Sequence, residues 1–120
     1  MVTSYRDLKV WQASMQLAES TYHLLGRLPP RSGWALQQQL ERSAISIPSN
    51  VAEGHARDST KEYLHYISYS LGSVAELETQ VLLASRMKFV AEQEADDLLA
   101  QADEVGKMLR GVQKTLKARV

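Results

Sequence analysis

The sequence predicts an all-α fold, an antiparallel up-down-up-down four-helix bundle. Apolar residues recur at alternating spacings of three and four over four stretches, the pattern of one buried stripe per helix. Each stretch is bounded by residues that start or stop helices. No run shows the two-residue alternation of a strand. Short connections between long helices favour antiparallel neighbours. At 120 residues the chain reads as a single domain, 1–120, able to bury about two-thirds of its unfolded surface.

The first helix is expected from about Tyr5 to Leu25, with Leu8, Trp11, Met15, Ala18, Tyr22 and Leu25 on its inner stripe. Ser4 is its candidate N-cap, with Asp7 three residues on. Gly26-Arg27-Leu28-Pro29-Pro30 ends it, since proline donates no backbone hydrogen bond. The second helix begins near Ser32 and carries Leu36, Leu40, Ala44, Ile47 and Val51. Pro48 lies inside that pattern, so a kink or short break is expected there. Gly54 is expected to end the helix in a left-handed conformation. The third opens on the capping box Ser59-Thr60-Lys61-Glu62 and runs to about Met87 through Leu64, Ile67, Leu71, Val74, Val81 and Ala84. The fourth starts near Ala91 and has the cleanest repeat: Ala95, Leu98, Ala102, Val105, Leu109, Val112 and Leu116. The intervening Lys88-Phe89-Val90 lacks glycine and any obvious cap. Tyr63, Tyr66, Tyr69, Leu77, Leu82 and Leu83 on the third helix, and Val10 and Leu17 on the first, fall off the main stripes. A monomer needs only one buried stripe per helix, so a second apolar face points to self-association.

The absence of cysteine rules out disulfides and thiolate zinc sites and fits a reducing cytoplasm. The first residues do not resemble a signal peptide, and no stretch approaches the about 20 apolar residues that span a bilayer. A soluble cytoplasmic protein with no membrane partner is therefore expected. Fourteen basic and fourteen acidic residues cancel, leaving no global field to steer polyanions. Six acids and no base lie between Glu92 and Glu104, and five bases and no acid from Lys107 to Val120. That polarity matches the dipole of the last helix.

Chemistry is poorly served. A di-iron bundle needs two Glu-x-x-His pairs and two further glutamates. Here there is one such pair, Glu62 and His65, besides Glu19 and His23 four apart, so a bundle metalloprotein is a remote alternative. No Gly-x-Ser-x-Gly elbow, phosphate loop or dinucleotide fingerprint is present. No enzyme and no cofactor are expected. The most unusual feature is polar. Gln39, Arg42, Ser46 and Asn50 rise along one face of the second helix into Glu53-Gly54, and Glu76 and Glu78 sit within the third. A charged side chain near a core is costly unless paired, and Arg42 with Glu76 or Glu78 is the expected pair, in a network fixing helix register and bracing the proline. Two small basic patches are candidate nucleic-acid contacts: Arg57 and Lys61 beside the second loop, and Arg110, Lys114 and Lys117 along the last helix. Neither is interleaved with stacking aromatics in the sequence. Cyclic symmetry would repeat them around a ring and sum their phosphate contacts.

Asp7-Leu8-Lys9-Val10-Trp11, Gln39-x-x-Arg42, Ser46-Ile47-Pro48-Ser49-Asn50-Val51-Ala52-Glu53-Gly54 and Gly72-Ser73-x-x-Glu76-Leu77-Glu78-Thr79-Gln80 together resemble the bacterial four helix bundle proteins, also called the 23S ribosomal RNA intervening-sequence protein family. The resemblance spans nearly the whole chain in order. It implies a cytoplasmic bundle that assembles into a toroidal homopentamer, some members being encoded within insertions of large-subunit ribosomal RNA genes. The accessory protein of diversity-generating retroelements is similar, a basic pentameric barrel that engages nucleic acid and a reverse transcriptase; the present chain is neutral overall. The expectation is a non-enzymatic, ring-forming interaction protein with RNA or DNA as candidate partner, tested at Arg42, Arg57, Lys61, Arg110, Lys114 and Lys117. The alternative is a structural scaffold for a protein partner without nucleic-acid binding.

Overall fold

A computed structural model of the chain describes residues 4–120. A 3₁₀ turn at Tyr5–Asp7 leads into α1 (Lys9–Leu25), α2 (Trp34–His55), α3 (Thr60–Arg86) and α4 (Glu92–Lys117), and no strand occurs among the described residues. α2 packs most broadly on α3, α3 on α4, and α1 closes the square against α2 and α4, while the diagonal helices do not meet. Pairings along α2 rise in number as those along α3 fall: Ser43 reaches Gln80, Ser46 reaches Ser73, and Gly54 lies against Tyr63 and Tyr66. The result is an all-α four-helix bundle of 45 × 21 × 20 Å.

The start of α1 differs from expectation. Ser4 caps the 3₁₀ turn, its Oγ accepting the Arg6 amide at 3.2 Å, and extended Leu8 separates that turn from α1. The buried stripe of α1 is also displaced by one residue from the expected one, roughly 100° around the axis. Val10, Ser14, Leu17, Thr21 and Leu24 face the core, whereas Met15 and Tyr22 are 36% and 46% exposed. The polar residues in that stripe explain the difference. Ser14 and Thr21 donate their hydroxyls to the carbonyls of Val10 and Leu17 at 2.7 and 2.8 Å, so each spends its hydrogen on its own helix and packs as a small apolar group.

α2 runs unbroken from Trp34 to His55 with Pro48 buried inside it, so of the expected kink or short break no break occurs. Gly54 is not a left-handed terminator either, for no glycine has positive φ among the described residues. It sits in the last turn, close against α3: an added Cβ would lie 2.7 Å from Tyr66 Cβ and 3.0 Å from Tyr63 Cδ1. α3 begins as expected, with Ser59 Oγ accepting the Glu62 amide at 3.0 Å. Leu77, read as off-stripe, is fully buried beside Val74 and Val81, while Tyr69, Leu82 and Leu83 are about half exposed as read.

The α3–α4 turn closes without glycine. Lys88 takes the left-handed conformation at φ 61°, the Phe89 amide reaches back to the Ala84 carbonyl at 3.0 Å and the Lys88 amide to that of Ser85 at 3.0 Å. That is the Schellman arrangement, with lysine where glycine is favoured. α4 then starts on half a capping box, Glu94 Oε1 accepting the Ala91 amide at 3.2 Å. Ala95, Leu98, Ala102, Val105, Leu109 and Leu116 are buried as expected, and Val112 partly so. Glu94 Oε2 also takes Arg27 Nε at 2.9 Å, tying the α1–α2 loop to the head of α4. No helix among the described residues is long and apolar enough to cross a membrane.

Candidate functional site

The polar seam between α2 and α3 is built from short side chains on two helices that approach closely. Asn50 Nδ2 donates to both the carbonyl and Oγ of Ser46 at 2.8 Å, and Ser73 Oγ donates to Ser46 Oγ at 2.7 Å. Ser70 Oγ donates to the Ile47 carbonyl at 2.7 Å, the residue before Pro48, and Ser43 Oγ to Gln80 Oε1 at 2.8 Å. Among the described residues no buried side-chain nitrogen or oxygen lacks a partner. The seam is thus a network without an unpaired buried side chain that sets the α2–α3 register.

The charged members of the sequence motif stand apart from it. Gln39, Arg42 and Glu76 are exposed. The described ion pairs are Arg27–Glu94, Arg57–Glu53 and Lys107–Asp103, so the pair expected between Arg42 and Glu76 or Glu78 is not formed. Half-buried Glu78 instead lines a shallow cleft with Arg110, opposite Gly106 of α4.

Arg57 and Lys61 do come together, flanking the α2–α3 loop, and here the structure adds what spacing did not show. They line one groove, of about 350 Å³, with Glu62, His65, Tyr66 and Tyr69. Arg57 Nη2 donates to Glu53 Oε1 at 2.9 Å and to the Tyr66 hydroxyl at 2.7 Å, its guanidinium carbon 4.9 Å from the Tyr66 ring centre. The bond to Glu53, then the Tyr66 hydroxyl, hold the guanidinium above its ordinary pKa. Tyr69 meets both His65 and Tyr66 edge to face, with centroids 5.7 and 5.6 Å apart. Aromatic faces therefore do accompany this basic patch, contrary to the sequence reading. The four-residue steps Lys61, His65, Tyr69 and Glu62, Tyr66 were the signal for it. The other patch is plainer: Arg110, Lys114 and Lys117 are exposed along one side of α4, and Lys107 beside them is engaged by Asp103 at 3.3 Å.

Glu19 and His23 line one groove and Glu62 and His65 another, and no three metal-ligating side chains cluster among the described residues. The groove that holds Glu19 and His23 measures about 690 Å³ between α1 and α2, floored by Trp11, Ala18, Pro48 and Ala52 and edged by half-exposed Met15, Tyr22 and Ile45. Of the residues expected on the inner stripe of α1, Met15 and Tyr22 thus stand on an outward apolar face, Leu8, Trp11 and Ala18 are partly buried against the core, and Leu25 is buried as expected. A second apolar ridge, Leu83 and Met87, stands out near the end of α3 at 47% and 55% exposed.

A family profile described as 23S rRNA-intervening sequence protein matches residues 6–111. The chain belongs to that family. The crystal structure of a protein of unknown function from the S23 ribosomal protein family of Bacteroides thetaiotaomicron VPI-5482 is similar, at 21% identity over 88% of this chain and 98% of that one, with a TM-score of 0.82. That likeness supports the bundle fold alone. No curated protein matches. The 23S rRNA-intervening sequence protein profile takes in the α1–α2 groove, the polar seam, Arg57, Lys61 and Arg110; it stops short of Lys114 and Lys117.

Proposed function

We propose that this chain is a non-enzymatic, self-associating interaction protein of the cytoplasm. The observation that carries this reading is the pair of unlike apolar surfaces on different faces: a groove between α1 and α2, and a ridge at Leu83 and Met87. Large half-exposed side chains grouped in this way mark contact surfaces. A groove on one copy that receives a ridge on the next is a head-to-tail contact, which closes into a ring when the rotation allows. Glu19 at the groove and Arg86 beside the ridge carry opposite charges suited to such a contact. The homopentamer that the family resemblance implies points the same way.

The test is the solution mass by light scattering over a concentration series. Ile45→Glu or Leu83→Glu, at sites 48% and 47% exposed, is expected to return the protein to monomer without unfolding it. A wild-type protein that stays monomeric at high concentration overturns the reading.

A second reading, contact with RNA or DNA, is favoured by the groove in which Arg57 and Lys61 meet Tyr66, Tyr69 and His65, because cations with aromatic faces suit single strands. Glu53 and Glu62 offset the two cations, so the contact is weak per copy and needs the ring to sum it. The combined Arg57→Glu, Lys61→Glu variant is expected to lose retention of a generic RNA at low salt while keeping its mass; unchanged binding would favour a scaffold for a protein partner.

A further inference from the structure

The bundle has one end at which the start of α1, the end of α2, the start of α3 and the end of α4 converge, and a groove of about 560 Å³ opens there. Its walls are apolar, from Leu8, Val10, Met108, Val112 and Leu116. Its charged rim is of one sign, Lys9 and Arg119, with His55 beside them, and no carboxylate among the described residues lines it. Neither Lys9 nor Arg119 enters any of the ion pairs among the described residues. The acid nearest in sequence to His55, Glu53, is taken up by Arg57.

Two further observations concern the interior of the groove. Half-buried Tyr63 stands inside, its ring edge-on to His55 at 5.8 Å between centroids. Burial raises the Tyr63 phenol above its ordinary range and Arg119, on the rim of the same groove, draws it back. Gly111 lies in mid-helix on the same wall, and an added Cβ there would touch nothing within 4 Å. Close packing therefore does not call for glycine at 111, and its missing side chain leaves the groove its depth.

We propose that this groove binds an amphiphilic monoanion, a carboxylate on an alkyl or aryl body, with the body along Val112 and Leu116 and the carboxylate between Lys9 and Arg119. Concave apolar surface of this size with a few convergent polar groups is the common form of a small-molecule site, and a rim of one sign selects the charge. The proposal is independent of self-association, whose surfaces lie elsewhere.

Decanoate is the probe, with decyltrimethylammonium as the same body bearing the opposite charge, each titrated by calorimetry into the full chain. Decanoate is expected to bind and the cation to bind at least about tenfold more weakly. Lys9→Gln with Arg119→Gln should weaken decanoate about five- to tenfold, the scale of two exposed charge contacts. Gly111→Leu, whose Cβ meets nothing within 4 Å and whose longer side chain occupies the groove, should abolish binding. Ile45→Glu, in the other groove, should leave it unchanged. Equal affinity for the two detergents, no decanoate binding at millimolar concentration, or loss in Ile45→Glu with retention in Gly111→Leu each overturns the assignment. Because Ile45→Glu is also the monomer test, its mass and its decanoate affinity separate a failure of this proposal from a failure of self-association.

Discussion

Replacing Gly54 with alanine tests the close approach of α2 to α3. Alanine gains about 1 kcal/mol over glycine inside a helix, so on propensity alone Gly54→Ala would stabilise α2. The structure opposes this. The new methyl would sit 2.7 Å from Tyr66 Cβ, 3.0 Å from Tyr63 Cδ1 and 3.3 Å from the Tyr63 carbonyl. Carbon atoms rest at about 3.5–4.0 Å, so α2 and α3 must part by roughly 1 Å. Tyr66 Cβ is fixed to its backbone, and no change of rotamer moves it. Overpacking of this kind costs about 1–3 kcal/mol, which offsets the propensity gain and leaves a net loss of up to about 2 kcal/mol. Thermal melting followed by circular dichroism should show a midpoint lowered by up to about 10 °C. Gly72→Ala is the matched control, since an added Cβ there meets nothing within 4 Å, and it should raise the midpoint instead. A Gly54→Ala protein that melts at or above wild type refutes the contact argument.

Leu17→Ala should cost about 2–5 kcal/mol in urea unfolding and Met15→Ala under about 1 kcal/mol, since Leu17 is fully buried and Met15 is 36% exposed; equal losses would return the core to the other stripe. Lys88→Gly should stabilise the fold by about 1 kcal/mol in the same assay, because a left-handed φ of 61° strains a side chain and not glycine. The Glu94 carboxyl is held below its ordinary 4.5, first by Arg27 and then by the Ala91 amide. A lowered carboxyl stabilises the fold above that ordinary value, and the contribution is lost as pH falls through the lowered one. Melting points from pH 7 to 2 should therefore fall more steeply for wild type than for Glu94→Gln, and parallel curves would count against the Arg27 contact.

The helices were legible where their apolar repeat was uninterrupted, as in α4, whose stripe from Ala95 to Leu116 is the one observed with Val112 at its margin. α1 was misread by one residue because Ser14 and Thr21 look polar until their hydroxyls are seen bonded to the turn below. Leu77 was set outside the stripe for a related cause: its companions Ser70 and Ser73 are buried but hydroxylated. Pro48 removes a donor, yet flanking bonds from Asn50 and Ser70 accompany a helix that continues through it. Gly54 carries two meanings in a sequence, chain reversal and close approach, and only the partner helix distinguishes them. Of the site residues, the meeting of Arg57 with Lys61 and the tyrosines could be read from four-residue steps. The basic-rimmed end groove could not, since it joins residues from Leu8 to Arg119 across four helices.

The hydroxyls that line the interior have a consequence for how this chain can drift in sequence. Ser14 and Thr21 satisfy themselves within their own helices, so exchange for alanine strands no neighbour and forfeits only a few atoms of packing. Ser46, Ser70 and Ser73 instead reach across to the other helix or receive from it, and each is answerable to a residue on a different element. Ser14 and Thr21 can therefore be exchanged singly, whereas Ser46, Ser70 and Ser73 are tied to the facing helix, and tolerance at these five positions mapped by saturation mutagenesis should divide along that line.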